Sequence, residues 1–176
     1  MNPRGLGVPR PHSTRTPIRA VIAALTTTLI ATLLTTVTLA PAQAVQVSTA
    51  SMASAADTYE QRVQRLVNRR RAARGLPRLR LASCADGTAE SWSRHLASTD
   101  EFYHQSMRHV LSTCDASYAG ETLGRGTMSP RRLVRMWMRS TAHRAVLISP
   151  KSRRIGVGVT PDNHGRWVVA ANFIRY

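Results

Sequence analysis

The stretch from Ile155 to Phe173 is patterned unlike anything before it. Ile155, Gly156, Val157, Gly158, Val159 and Thr160 alternate strictly, the period of a strand with one buried face. Arg166 to Phe173 is rich in Trp167, Val168 and Val169, residue types that suit a pleated surface. Pro161 to Gly165 between them reads as a turn, so the two runs form a closing hairpin. Everything upstream has helical spacing or none. Helices first and a hairpin last argue for an α+β domain, its helices packed on an antiparallel sheet.

The first helix is expected to start at Asp57 or Thr58, because Asp57 with Glu60, or Thr58 with Gln61, can make a capping box. Tyr59, Val63, Leu66, Val67 and Ala73 fall near one face, and Arg62, Arg65, Arg69, Arg70 and Arg71 fill the rest. Gly75 suits the C-cap, and Pro77 bars resumption. A second helix fits Cys84 to Ser98, with Ala85, Ala89, Trp92 and Leu96 at helical spacing and Glu90 four residues before Arg94. His95, beside that stripe, reads as a partly buried surface histidine. Glu101 to Ser106 reads as loop or a short turn of helix. Ser129 followed by Pro130 makes a good helix start, and Leu133, Val134, Trp137 and Met138 make its buried face. That helix should weaken at Ser140 and Thr141, and Ala142 to Ile148 gives another turn or two, stopped before Pro150.

At 176 residues the chain has room for one domain and an extension. The extension comes first. Arg4, Arg10, Arg15 and Arg19 precede an uncharged run from Ala20 to Ala40, and Ala42, Gln43 and Ala44 make a small-x-small pattern. Residues 1–44 therefore read as a secretory signal peptide cleaved after Ala44. The competing reading is a retained anchor, since about 20 apolar or hydroxyl residues can span a bilayer. Val45 to Ala56, small and without period, is expected to be a flexible leader, and residues 57–176 the folded domain.

The whole chain carries a formal net charge of +16. Without residues 1–44, 21 basic side chains face 9 acidic ones, a net of +12, and Lys151 is the single lysine. Such a domain is drawn to polyanions by an attraction that salt weakens. For an exported protein these are anionic cell-wall polymers and lipid headgroups rather than a specific nucleic acid. Cys84 and Cys114 lie downstream of the export signal, where disulfides persist, and are expected to pair. Closing that ring contributes roughly 3.5 to 4 kcal/mol in the loop-entropy picture. A pair of zinc thiolates would show a closer Cys-x-x-Cys spacing.

Three ionisable residues stand in unusual company: His104 beside aromatics, Glu121 between glycines, and His143 after a short polar break. Two imidazoles and a carboxylate can hold a divalent metal with a position left for water, or act as acid and base without one. Other templates fail. The chain has no His-Glu-x-x-His helix, no Gly-x-Ser-x-Gly elbow, no phosphate loop around Gly120, Gly124 and Gly126, and no unpaired cysteine to serve as nucleophile.

These residues fall in a recognisable order. Phe102-Tyr103-His104-Gln105-Ser106, then Ala119-Gly120-Glu121-Thr122-Leu123, then Met136 to Leu147, and finally Ile155-Gly156-Val157-Gly158-Val159 resemble the successive blocks of the CAP superfamily, which includes cysteine-rich secretory proteins, venom antigens and pathogenesis-related proteins. The likeness extends to the short secreted bacterial members with an SCP-like domain, and covers the chain from about residue 58 onward. Leu66-Val67-Asn68 with Gly75-Leu76-Pro77 resembles the family's opening helix and turn, and Asn68 is read as structural. The resemblance implies a three-layer α-β-α sandwich with a small antiparallel sheet between helices, and a cleft holding two histidines and two glutamates. His104, Glu121 and His143 match three of those four. Where the fourth, a glutamate shortly after the tryptophan, would stand, Arg139 and Ser140 follow Trp137 and Met138.

Three functions follow as expectations. The first is a binding domain of the bacterial envelope, taking a lipid-like ligand or a divalent ion such as zinc in the cleft of His104, Glu121 and His143. The second is a metal-assisted hydrolase, with His104 and His143 on the ion and Glu121 as base on its water. The third is a non-catalytic interaction protein in which the histidines are merely packed.

Overall fold

The computed structural model describes residues 41–176. The expected signal peptide over residues 1–44 lies outside them, save for its last four residues, which are helical. The first helix, α1 (Pro41–Ala72), begins well before the expected caps, so residues 45–56 are helix and not an irregular leader. The reason is local and tertiary together. From Ala42 to Ala73 the chain contains neither glycine nor proline and many alanines, the strongest helix former. Ala56 and Tyr59 are buried, which ties this part of the helix to the core. Thr58, expected as a cap, donates its hydroxyl to Ser54 O four residues back at 2.9 Å, as a residue inside a helix does.

Eight elements follow: β1 (Arg80–Leu81), α2 (Ser83–Thr99), α3 (Met107–Thr113), β2 (Tyr118–Gly126), α4 (Pro130–Arg139), α5 (Thr141–Leu147), β3 (Arg154–Pro161) and β4 (Trp167–Arg175). The strands form one sheet in the order β1-β3-β4-β2. The pair β3 with β4 is antiparallel, as expected from the closing hairpin, and β4 also pairs antiparallel with β2, a strand not expected from the sequence. The short β1 runs parallel to β3, so the sheet is mixed. Asn68 fixes where β1 starts: its side-chain amide donates to Leu79 O at 3.0 Å and its oxygen accepts from Leu79 N at 2.8 Å. Its structural reading holds.

Alternation along the strands divides the molecule into layers. Ile155, Val157, Val159, Val169, Ala171 and Phe173 face α1, α4 and α5, meeting Val63, Val67, Leu133, Val134, Trp137 and Leu147 in the main core. The residues between them face α2 and α3, where Val168 and Ala170 meet Ala89 and Leu96, and Ile174 meets Ala85 and Val110. The result is the three-layer α-β-α sandwich. Two glycines set the spacing on the α2 side. A Cβ on Gly156 would lie 2.1 Å from the Ala85 carbonyl carbon, and one on Gly158 would lie 2.3 Å from the Glu90 nitrogen. Only glycine lets the helix come this close.

Arg71 departs from the sequence reading, which placed it on the exposed arginine face. It follows Val63 and Val67 at helical spacing and is fully buried with them. Its guanidinium donates to the carbonyls of Pro77, Leu147, Ser149 and Ser152 at 2.9 to 3.3 Å. Position on the helix therefore outweighs residue type, because a ring of backbone acceptors replaces the water that the cation gives up. The cysteines pair as expected: Cys84 and Cys114 form a disulfide with a Cα–Cα distance of 5.6 Å, joining the start of α2 to the end of α3. No helix among the described residues is long and apolar enough to cross a membrane.

Candidate functional site

The segment between α2 and α3 carries His104 and Gln105, and it is tied down at both ends. Arg125 of β2 donates to the carbonyls of Leu96, Asp100 and Glu101 and to the Asp100 carboxylate. At the far end, Ser106 caps α3 by accepting from His109 N, and the disulfide closes that helix against α2. The loop is thus a fixed shelf over β2.

Glu121 lies beneath the shelf, opposite Asn172 of β4 in the ladder. His104 Nδ1 stands 2.6 Å from Glu121 Oε1. Gln105 donates its backbone N–H to the same oxygen at 3.2 Å and its side-chain amide to Oε2 at 2.6 Å. That amide also reaches Asn172 Oδ1 at 3.2 Å, and Asn172 donates to the Thr88 hydroxyl of α2 at 3.0 Å. A chain of polar side chains therefore runs from α2 through the sheet to His104. It ends in the open: the Glu121 side chain is 1% exposed and that of His104 58%. Burial raises the Glu121 pKa, and the bonds from Gln105 and His104 oppose that rise.

The chemical consequence concerns the imidazole more than the acid. Opposite a carboxylate Nδ1 is the donor of this pair, and Nε2 is the ring nitrogen left for a further partner. Glu121 Oε1 meets His104 and Gln105 N, and Oε2 meets the Gln105 amide, so the carboxylate fixes how the His104 ring is turned.

His143 reaches this region from the other layer. Val146 of α5 lies 3.2 Å from where a Cβ on Gly120 would stand, so α5 covers the opposite face of β2, the outer strand of the sheet. Ser140, the polar break seen in the sequence, ends α4 and caps α5 by accepting from His143 N itself. Burial lowers the His143 pKa, and the charge of His104 lowers it further. The structure thus joins His104 to Glu121 directly and sets His143 within electrostatic reach of His104.

Among the described residues no group of three or more His, Cys, Asp or Glu is placed to hold a metal ion. Of the donors expected from the sequence, His104 keeps Nε2 free of Glu121, and burial lowers the His143 pKa. The fourth acid implied by the resemblance has no replacement, since Arg139 is exposed and Ser140 is spent on the cap.

Beside His104 opens a cavity of about 640 Å³ lined by Thr88, Trp92, His95, Tyr103, Ser106 and His109, among others. Trp92 stacks on His95 at 4.8 Å and meets Tyr103 edge-on at 5.1 Å. Trp92 Nε1 donates to Tyr103 O at 3.1 Å, and the Tyr103 hydroxyl pairs with His95 Nε2 at 3.0 Å. A larger groove of about 800 Å³ lies between α1, α2 and β3, but no imidazole lines it. Sequence reasoning missed Gln105, Asn172, Thr88 and the wall formed by Trp92 and Tyr103. Asn172 did leave a signal, as the one polar residue in the run from Trp167 to Ile174.

Residues 64–173 match the cysteine-rich secretory protein family, CAP. The chain belongs to that family. It is 32% identical over 127 residues to the uncharacterized protein YkwD of Bacillus subtilis (strain 168), a match that covers 68% of this chain and 49% of YkwD. The chain therefore spans about half the length of that curated relative. Among solved structures, an extracellular protein containing an SCP domain from Bacillus anthracis superposes with a TM-score of 0.62 at 22% identity, over 69% of this chain and 41% of that one. A cysteine-rich secretory protein from Staphylococcus aureus gives 0.59 at 22% identity, over 69% and 40%. An outer surface protein from Borrelia burgdorferi gives 0.59 at 17% identity, over 64% and 88%. These three likenesses establish the CAP fold for the described domain, including the sandwich expected from the sequence.

Proposed function

We propose that this CAP domain is an exported, non-catalytic binding protein of the bacterial envelope, whose cleft takes an amphipathic, lipid-like molecule. The polar end of the ligand meets His104 Nε2, and its apolar part lies along Trp92 and Tyr103. One observation carries the reading: the buried Glu121 holds His104 by Nδ1 and leaves Nε2 beside an aromatic-walled cavity of about 640 Å³, within the size range of small-molecule sites. Three things support export: the basic, then uncharged, then small-residue order of residues 1–44, the disulfide, which suits an oxidising compartment, and relatives described as an extracellular protein and an outer surface protein.

The test is extraction and mass spectrometry of the full chain purified from two unrelated hosts. An apolar-tailed molecule should come with the wild type and be depleted in Trp92→Ala. His104→Ala should also weaken retention, and should cost about 1 to 3 kcal/mol of stability because it takes a partner from the buried Glu121. Protein that comes up empty from both hosts overturns the reading. A divalent ion between the two imidazoles is the second reading, favoured by the lowered pKa of His143. Titration with Zn²⁺ should then show weaker binding by His143→Ala, and equal binding by both proteins removes the ion.

A further inference from the structure

The nine acidic side chains are spread unevenly over the fold. Glu60 of α1 turns toward the sheet, where it accepts from Val159 N, and Asp57 stands near enough to act on it. Asp86 and Glu90 are on α2, and Asp100, Glu101, Asp115 and Asp162 are in the loops outside the α1–α4 pair. Glu121 is buried. The outward faces of α1 beyond residue 60 and of α4 hold no acid at all.

They hold arginine instead. Arg62, Arg65 and Arg69 recur at helical spacing on the exposed side of α1. On α4, Arg131, Arg132, Arg135 and Arg139 fill the exposed side. The two helices pack together through Val63, Val67, Leu133 and Trp137, which sets the two rows side by side. Arg62, Arg65, Arg69 and Arg131 line one groove of about 290 Å³. Arg132, Arg135 and Arg139 line a second concavity of about 880 Å³. None of these seven has a side-chain hydrogen bond or ion pair among the described residues, whereas Arg94, Arg125 and Arg166 each meet a carboxylate. Like charges at this spacing destabilise a helix. A compositional habit of using arginine would scatter them, and does not account for two adjoining outward faces without an acid.

We propose that the α1–α4 face is a docking surface for a linear polyanion with a phosphodiester in each repeat. Guanidinium forks grip phosphate oxygens in pairs, and a concave, arginine-lined surface fits a chain better than a plane. A bilayer is disfavoured because Met136 is the one exposed large hydrophobic on this face, and a membrane-seated helix brings an apolar face. Single-stranded nucleic acid is disfavoured because no aromatic side chain on these arginine faces offers its bases a stacking platform. The surface lies in the layer opposite the His104 cavity, so the proposal stands apart from the cleft reading.

The test uses the full chain and fluorescent poly(glycerol phosphate), followed by anisotropy at about 50 and 200 mM salt. Replacing Arg131, Arg132, Arg135 and Arg139 with Gln should weaken binding about tenfold or more and flatten the salt dependence. A matched variant with Gln at Arg78, Arg80, Arg108 and Arg175, all exposed, removes the same charge elsewhere and should cost less than about threefold. Gln at Arg62, Arg65 and Arg69 should act in the same direction as the α4 set, which guards against a local folding defect. Equal losses in the α4 and matched variants would reduce the attraction to net charge and overturn the proposal. So would an α4 variant that loses binding to phosphatidylglycerol vesicles but keeps the polymer.

Discussion

The two faces of the sheet are built on opposite terms. Toward α1 and α4 the strands present valine, isoleucine and phenylalanine to a continuous apolar core. Toward α2 the same strands present Gly156, Gly158, Ala170 and Asn172, and the helix backbone comes into direct contact. Each side also buries one ion. Arg71, in the α1 layer, is closed off by backbone carbonyls. Glu121, on the α2 side, is held by side chains whose chain of bonds ends at an exposed imidazole. The first arrangement can only hold parts of the framework together. The second passes the effect of a buried charge out to a place where a ligand can meet it.

The largest effect that bears on this contrast should come from Trp137→Ala. The side chain is fully buried and its Nε1 donates to Leu123 O at 2.7 Å. Urea denaturation should show a loss of about 3 to 5 kcal/mol. Gly156→Ala should come next, at about 1 to 3 kcal/mol, because the methyl group must push α2 off the sheet. It should also reduce ligand retention, since α2 carries Thr88 and Trp92. If Gly156→Ala cost more than Trp137→Ala, the assignment of stability to the α1–α4 side would be reversed.

A smaller effect sits at the seam between the faces. Burial, with Asp86, Glu90 and Asp57 nearby, raises the Glu60 pKa from 4.5 to about 7, against the Val159 N–H that favours the charged form. The folded chain thus holds this proton more tightly than the unfolded one. Its stability should fall as pH rises from 4.5 through about 7. Wild type should therefore be more stable relative to Glu60→Gln at pH 4.5 than at about pH 8, read from melting temperatures. A gap that stays constant across that range would mean that Glu60 is solvated as freely in the fold as in the unfolded chain.

Legibility followed pattern strength. The closing hairpin, the Ser129 cap, the break at Ser140 and the disulfide could be read directly, because alternation, a capping hydroxyl, a polar interruption and paired cysteines are local or compartment-level signals. β2 could not, since Gly120, Gly124 and Gly126 remove the side chains that announce a strand. Those at 120 and 124 are glycine because Val146 and Leu133 occupy the space, a fact set by distant parts of the chain. His104, Glu121 and His143 were visible through their neighbours and through the family blocks. The Gln105, Asn172 and Thr88 relay was not, because it joins residues 84 positions apart in sequence. Arg71 misled for a related reason: nothing near it in sequence reveals the carbonyls of Leu147, Ser149 and Ser152.

The same seam has a bearing on self-association. Beyond the two residues that β1 covers, the outer edge of β3 would expose the N–H groups of Val157 and Val159 as a template for a foreign strand. Asp86 accepts the first and Glu60 the second, both at 2.9 Å. One carboxylate comes from each helical layer, so both layers must be in place before the edge is sealed. The native sheet ends at four strands on that side because its next rung is already occupied.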